Sequence, residues 1–362
     1  MPSDSHRPVI ADEVVTDPVA LTRALVDIES VSGNEKEITD AVESVLRTTS
    51  HLKVERAGNV ICARTALGRR ERVILAGHLD TVPLHGNLPS TVDDGAIYGC
   101  GTADMKSGVA LALQLAVTVA DPVFDVTYLF YDNEEVAAER NGLTHVARNQ
   151  PDWLVADLAL LLEPTYGIVE AGCQGTLLAV VHLEGRRAHS ARSWKGRNAI
   201  HLAGEVLRRL AAYEARRVTI DGCEYREGLS AVAIRGGVAG NVIPDSCEIE
   251  VNFRFAPDRD EARALAHVRE VFDGYEITVK DSAAGALPGL TAAPARRFVA
   301  AVGAEPVGKL GWTDVARFSA LGVPALNYGP GDPNLAHTQH ERVEIDKIVE
   351  GAAVLHRWLT AT

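Results

Sequence analysis

The sequence predicts an α/β domain built on a mixed, mostly parallel sheet and interrupted by a smaller α+β insert. Three observations lead there. Short apolar runs at 73–77, 126–131 and 158–162 each feed side chains able to hold a metal ion, and such runs read as buried parallel strands. A long apolar segment at 106–120 separates the first two and makes a strand–helix–strand crossover. From about residue 176 to residue 279 the order becomes β-α-β-β-α-β, the split-βαβ or ferredoxin-like pattern. The expected boundaries are 1–175 and 284–362 for the two parts of the first domain and 176–283 for the insert.

The 362 residues and 46% hydrophobic content exceed what one core usually accommodates, which agrees with two domains. A formal net charge of −13 argues against nucleic acid and anionic membrane as partners, since both call for a basic face. An anionic small substrate needs only a local positive pocket. Cys62, Cys100, Cys173, Cys223 and Cys247 are widely spaced and never form Cys-x-x-Cys, so neither a disulfide framework nor a thiolate zinc site is expected. Met1 to Asp12 hold no apolar run of signal-peptide length, and no long uncharged apolar stretch is found further along, so a soluble cytoplasmic protein is expected.

In chain order, Asp17-Pro18 reads as an N-cap and first-turn proline for a helix carrying Val19, Leu21, Leu25, Val26 and Ile28. Ser32-Gly33-Asn34 breaks it, and Ile38, Ala41, Val42 and Val45 resume a helical period. Residues 52–64 alternate around Ala57-Gly58-Asn59, a hairpin signal. Within the insert, strands are expected at 177–183, 229–234, 247–255 and 275–279 and helices at 198–213 and 260–272. A helix at 313–321, a buried strand at 323–328 and a last helix at 345–359 complete the first domain.

Ligands of an open α/β sheet gather beyond the carboxyl ends of its strands, so His78, Asp80, Asp132, Glu134, Glu135 and Glu163 should converge there. Asp104 lies in the glycine-rich turn Gly99 to Gly108 that opens the crossover helix, and it reads either as a helix cap or as a carboxylate shared by two cations. In the second reading His78 and Glu163 complete one side and Glu135 and His337 the other. A donor set of nitrogen and carboxylate suits Zn²⁺, and would also take Co²⁺ or Mn²⁺. Asp80, two residues after His78, is placed to accept the imidazole's second N–H. Glu134 and Glu135, if extended, point opposite ways, so one can hold metal while Glu134 serves as general base. His340 is a rival to His337, and His85, His182 and His201 read as structural.

The segments His78-Leu79-Asp80-Thr81-Val82-Pro83, Gly99 to Gly108, Asp132-Asn133-Glu134-Glu135, Glu163-Pro164-Thr165 and the late His337 together resemble, in order, the M20 family of di-zinc amidohydrolases and peptidases. The resemblance implies a zinc-dependent exopeptidase-like domain with an inserted lid that often dimerises, the same ligand roles for these residues, and a cis Asp104–Met105 peptide. The family's His-x-x-x-Glu spacing is met by His337 and Glu341. The insert is similar to the branch that removes succinate from N-succinyl-L,L-2,6-diaminopimelate, through Gly185 to Arg192, Tyr225 to Leu229, Gly236 to Pro244 and Asn252-Phe253-Arg254. That likeness implies His189 as an oxyanion donor reaching a neighbouring subunit, with Asn241 and Arg254 on substrate. One departure is Asp132-Asn133-Glu134-Glu135, where the branch has Asp-Glu-Glu. Arg186, Arg187, Arg192, Lys195 and Arg197 form a basic island, and Arg254 stands in an otherwise apolar run; arginine suits carboxylates. The expected substrate is a small N-acyl amino acid; acetylornithine deacetylase, aminoacylase and dipeptidase activities remain open alternatives.

Overall fold

The computed structural model describes residues 10–361, and the chain divides into two compact units. The first comprises the chain up to Ala171, Pro288–Val307 and the chain from Arg317; the second comprises Gly172–Leu287 and Gly308–Ala316. The expectation of no leader falls largely on residues 1–9, outside the described residues. Among the described residues no helix is long and apolar enough to cross a membrane.

The first unit carries a mixed sheet in the order Lys53–Ala57, Val60–Arg64, Asp125–Tyr131, Arg72–His78, Leu158–Leu161, Ala325–Asn327, Glu170–Ala171, ending at Val307. The central strands Asp125–Tyr131, Arg72–His78, Leu158–Leu161 and Ala325–Asn327 run parallel, and antiparallel pairs flank them. Covered on both faces, these strands are apolar throughout rather than alternating, which is why their runs stand out in the sequence. The opening helix Pro18–Val26 is capped as expected, with Asp17 Oδ1 accepting from the backbone N–H of Val19 at 2.9 Å and Ala20 at 3.2 Å. The crossover helix Ser107–Thr118 is buried over most of its length. At Gly108 a Cβ would lie 2.1 Å from the carbonyl oxygen of Leu162, so only glycine lets the helix start against the strand end that leads into Glu163. That contact brings Asp104 and Glu163 to one edge of the sheet.

The same sheet is pinned at its other end by Asp125. Its buried carboxylate accepts from the backbone N–H of Leu67 at 2.7 Å and Arg69 at 2.9 Å and from Thr65 Oγ1 at 3.0 Å. Burial alone would raise this carboxyl's pKa, but the two backbone donors and Thr65 outweigh it and hold it below 3.8. A lowered pKa contributes stability that is present above about pH 4 and lost as pH falls through the folded value. Asp125→Asn should therefore cost about 2 kcal/mol in urea unfolding at pH 7, because an amide NH₂ turns a donor toward a donor. The gap to the parent should shrink below about pH 4; a gap that is absent at pH 7 would refute the assignment.

The second unit holds a four-stranded antiparallel sheet in the order Gly228–Gly236, Ser246–Phe255, Gly175–Glu184, Glu276–Ala283. Numbered along the chain this is 2-3-1-4, the arrangement of a split βαβ. Ala199, Ala203 and Val206 of helix Ala199–Ala211 and Ala264 and Val268 of helix Glu261–Val271 join the apolar face of the sheet in one core. Ser246–Phe255 alternates buried and exposed residues, so Arg254 stands on the solvent face beside Asn252 and not in an apolar strand. The hairpin Arg217–Ile220 with Cys223–Arg226 and the helix Ala293–Val302 are not among the predicted elements.

Candidate metal centre

His78, Asp80, Asp104, Glu134, Glu135, Glu163 and His337 all belong to the first unit. His78 ends its strand, and Glu134, Glu135 and Glu163 come just after the ends of theirs. Asp104 lies in a wide turn, Thr102–Lys106, where Asp104 (φ −122°, ψ 97°) and Met105 (φ −134°, ψ 34°) are not helical and the Asp104–Met105 peptide is cis. Asp104 caps nothing, since Ser107–Thr118 begins without a side-chain cap.

Instead the carboxylate divides its two oxygens. Oδ1 is 3.2 Å from His78 Nε2, and Oδ2 is 3.4 Å from His337 Nε2. His337 Nε2 is also 2.7 Å from Glu135 Oε1. His78, Asp104 and Glu135 can each bring one donor atom within 4.8 Å of the other two. Glu163 is buried, 5% exposed, and its charge acts on His78. Burial lowers the pKa of His78, but Asp104, Asp80 and Glu163 outweigh it and raise it well above 6.5. His337 is pushed up to about 10, by Asp104 and then Glu135. A pocket that raises two imidazoles in this way has the potential that attracts cations. Two oxygens of one carboxylate turned to different histidines are also what a shared ligand between two cations requires.

Asp80 holds the site from behind. It is fully buried, and its carboxylate accepts from Ser32 Oγ at 2.7 Å and from the backbone N–H of Glu134 at 3.0 Å and Glu135 at 3.1 Å. Against the cost of burial, the neighbouring His78 and these donors bring its pKa down to about 2. The expected carboxylate contact has company: His78 Nδ1 lies 3.5 Å from Asp80 Oδ1 and, closer, 3.0 Å from the Asp80 backbone carbonyl. The tautomer is set all the same, with the proton on Nδ1 and Nε2 left for the site. Nor are Glu134 and Glu135 extended. Asn133 takes the left-handed region (φ 56°), which Asn tolerates, and the chain turns there so that the N–H groups of both glutamates meet Asp80.

His337 itself has φ 60°, an uncommon conformation outside glycine. Its loop is held against the Asp104 turn in two places. At Gly331 a Cβ would lie 2.4 Å from the Ala103 carbonyl oxygen. Glu341, 2% exposed, accepts with Oε1 from the backbone N–H of Ala103 at 2.9 Å and Asp104 at 3.1 Å, and its own carbonyl accepts from Gly99 N–H at 3.1 Å. Burial outweighs those donors and pushes its pKa up to about 7. In the sequence Glu341 is only a spacing match four residues after His337, and nothing in the pattern around it marks its clasp on Asp104.

His189, Arg192, Asn241 and Arg254 lie in the second unit. His189 pairs with Val242, and the N–H of Ser190 donates to the Asn241 carbonyl at 2.8 Å. His189 Nδ1 accepts from Ala191 N–H at 3.1 Å, so the neutral ring carries its proton on the exposed Nε2. Arg187 is committed to Asp245 and Arg186 to the Lys195 carbonyl, so much of the basic island is an ordinary solvated edge; Arg192 is exposed.

Residues 74–361 match the model of peptidase family M20/M25/M40. The chain is 57% identical over 346 residues to a candidate succinyl-diaminopimelate desuccinylase of Mycobacterium tuberculosis, covering 95% of this chain and 98% of that one. It is 50% identical over 359 residues to a succinyl-diaminopimelate desuccinylase of Corynebacterium glutamicum, covering 96% and 97%. Among solved structures, a tripeptidase of Staphylococcus aureus superposes with a TM-score of 0.78 at 21% identity, over 95% of this chain and 97% of that one. The YXEP protein of Bacillus subtilis, a dinuclear metal-binding peptidase of the M20 family, gives 0.70 at 16% over 96% and 98%. At those identities the likeness to the solved structures is one of fold.

Proposed function

Since the chain belongs to peptidase family M20/M25/M40, we propose that it hydrolyses the N-succinyl amide of N-succinyl-L,L-2,6-diaminopimelate to succinate and L,L-diaminopimelate, in lysine and diaminopimelate biosynthesis in the cytoplasm. The observation that supports the reaction class is Asp104, with its two oxygens on different histidines. The substrate is supported by the relatives at 57% and 50% identity, matched over nearly their whole length.

Two divalent cations fit the donor set: His78 and Glu163 on one side, Glu135 and His337 on the other, Asp104 between them. Zn²⁺ suits these nitrogen and carboxylate donors, with Co²⁺ or Mn²⁺ as substitutes. When bound, they polarise the amide carbonyl and acidify the attacking water. Glu134 takes the proton from that water and returns it to the leaving amine. Asp80 fixes the Glu134–Glu135 turn through its two N–H bonds and so aims the base. His189 of a neighbouring subunit reaches the site and donates from Nε2 to the oxygen on which negative charge develops. Asn241, Arg254 and Arg192 bind the substrate's polar groups and carboxylates. The test is a side-by-side assay of metal-loaded protein on N-succinyl-diaminopimelate, N-acetylornithine and dipeptides. Succinate release should exceed the other rates by at least about 10²-fold, the discrimination that buried polar recognition supplies. A faster deacetylation or peptide cleavage would replace this substrate with that one.

We extend the proposal to a homodimer formed through the second unit. Gly228–Gly236 is an edge strand of its sheet, and Val232 and Ile234 on it are 56% and 52% exposed, with Ile200 and Leu207 of helix Ala199–Ala211 each 41% exposed. An open edge lined with apolar side chains is a template for pairing. Ile234→Glu should shift the protein from dimer to monomer in sedimentation velocity. A parent that is already monomeric at micromolar concentration would count against the assembly.

A further inference from the structure

Arg254 is held by neutral partners. Its Nε donates to Asn252 Oδ1 at 3.1 Å, and Asn252 Nδ2 donates to Thr176 Oγ1 at 3.2 Å. The three residues share the solvent face of paired strands, Thr176 lying directly opposite Arg254 across the ladder. Reversing the Asn252 amide would set N–H against N–H, so the chain of bonds fixes its orientation. Glu250, two residues before Asn252 on the same face, is committed to Arg235 at 3.1 Å and Lys280 at 2.7 Å. Among the described residues Arg254 makes no ion pair, and partial burial of its guanidinium lowers its pKa. The guanidinium is therefore oriented and carries a charge that no neighbour neutralises.

We infer that Thr176 and Asn252 are positioning residues that hold Arg254 as an end-on receptor for a substrate carboxylate. With Nε occupied by Asn252, the side-on approach through Nε and one Nη is closed, and the acid must meet the two terminal Nη groups together. A neutral amide is the partner this task needs. A carboxylate at position 252 would orient the fork equally well but would satisfy its charge within the protein. The inference rests on the proposed reading of the substrate as a polycarboxylate bound by Arg254.

The test is a double-mutant cycle of Asn252→Asp and Arg254→Ala, built in the Glu134→Gln enzyme and read as the calorimetric Kd for N-succinyl-diaminopimelate, alongside KM and kcat in the parent background. Asn252→Asp should weaken binding roughly tenfold, as losing a charge-assisted pair does, with kcat within about threefold. In the Arg254→Ala background it should change nothing further. Thr176→Ser should match the parent, and Thr176→Val should raise KM by about threefold, the worth of one hydrogen bond. Thermal melts and metal content check that each variant folds. An Asn252→Asp effect that persists undiminished without Arg254, or none where Arg254→Ala weakens binding, overturns the positioning role. No loss of affinity in Arg254→Ala, or no binding of the substrate at all, overturns it too. If the parent fails to release succinate while the binding cycle still couples, the proposed reaction fails and the positioning role stands.

Discussion

Glu134→Gln should leave the cation content of the protein unchanged and lower kcat by roughly 10²–10⁴-fold, the share that a positioned acid–base group supplies. The amide keeps the shape of the side chain and cannot take the proton from the attacking water or hand one to the amine. The turn that carries it should survive, because its supports are the N–H bonds of Glu134 and Glu135 to Asp80, which do not involve the Glu134 side chain. KM should therefore move little while kcat collapses, the pattern of a group that acts in the transition state. The measurement pairs elemental analysis with succinate release. Turnover near that of the parent, with full cation content, would remove Glu134 from the reaction.

Asp104→Asn strikes the other centre of the arrangement. One oxygen faces His78 and the other His337, so an amide can keep one of those relations and must spoil the other with an NH₂ group. The shared ligand also supplies negative charge to both positions. Cation content should fall below the parent's, and turnover should drop by more than the roughly 10–100-fold expected for loss of a supporting partner around a ligand. A variant that retains the parent's cation content and rate would show that Asp104 is a structural turn residue. Glu341 gives an internal contrast, since its Oε1 meets the same turn through the backbone N–H groups of Ala103 and Asp104 and not through either histidine.

The first-unit strands were legible because parallel strands buried on both faces must be apolar throughout, and the polar residues that end them then mark the carboxyl edge of the sheet. His78 and Glu135 could be placed near Asp104 on that ground, whereas His337, in a loop well past its strand, was singled out from His340 by its spacing to Glu341. The rest depends on relations that one strand's pattern does not encode. Asp80 reads as a carboxylate partner for His78 from a two-residue spacing, yet the spacing fits its backbone carbonyl as well, and the carboxylate is spent on the next strand's turn. The turn at Asn133 is invisible to an argument from extended alternation, because a single left-handed residue redirects the chain beyond it. Arg254 looked apolar in context because Val251, Phe253 and Phe255 face the other side of the strand. The helix Ala293–Val302 starts without a side-chain cap, leaving the first-turn Pro294 as its start signal.

The candidate metal centre draws on residues as far apart as His78 and His337, while the sheet of the second unit is made from the uninterrupted stretch Gly172–Leu287. During synthesis, therefore, the second unit's sheet is complete while the first unit still lacks the strand Ala325–Asn327 and the loop bearing His337. Pairing so remote in sequence is slow to form, because the loop must close before its contacts can stabilise it. The second unit's sheet thus has all its strands while the candidate site in the first unit is still unassembled, and that site arrives last.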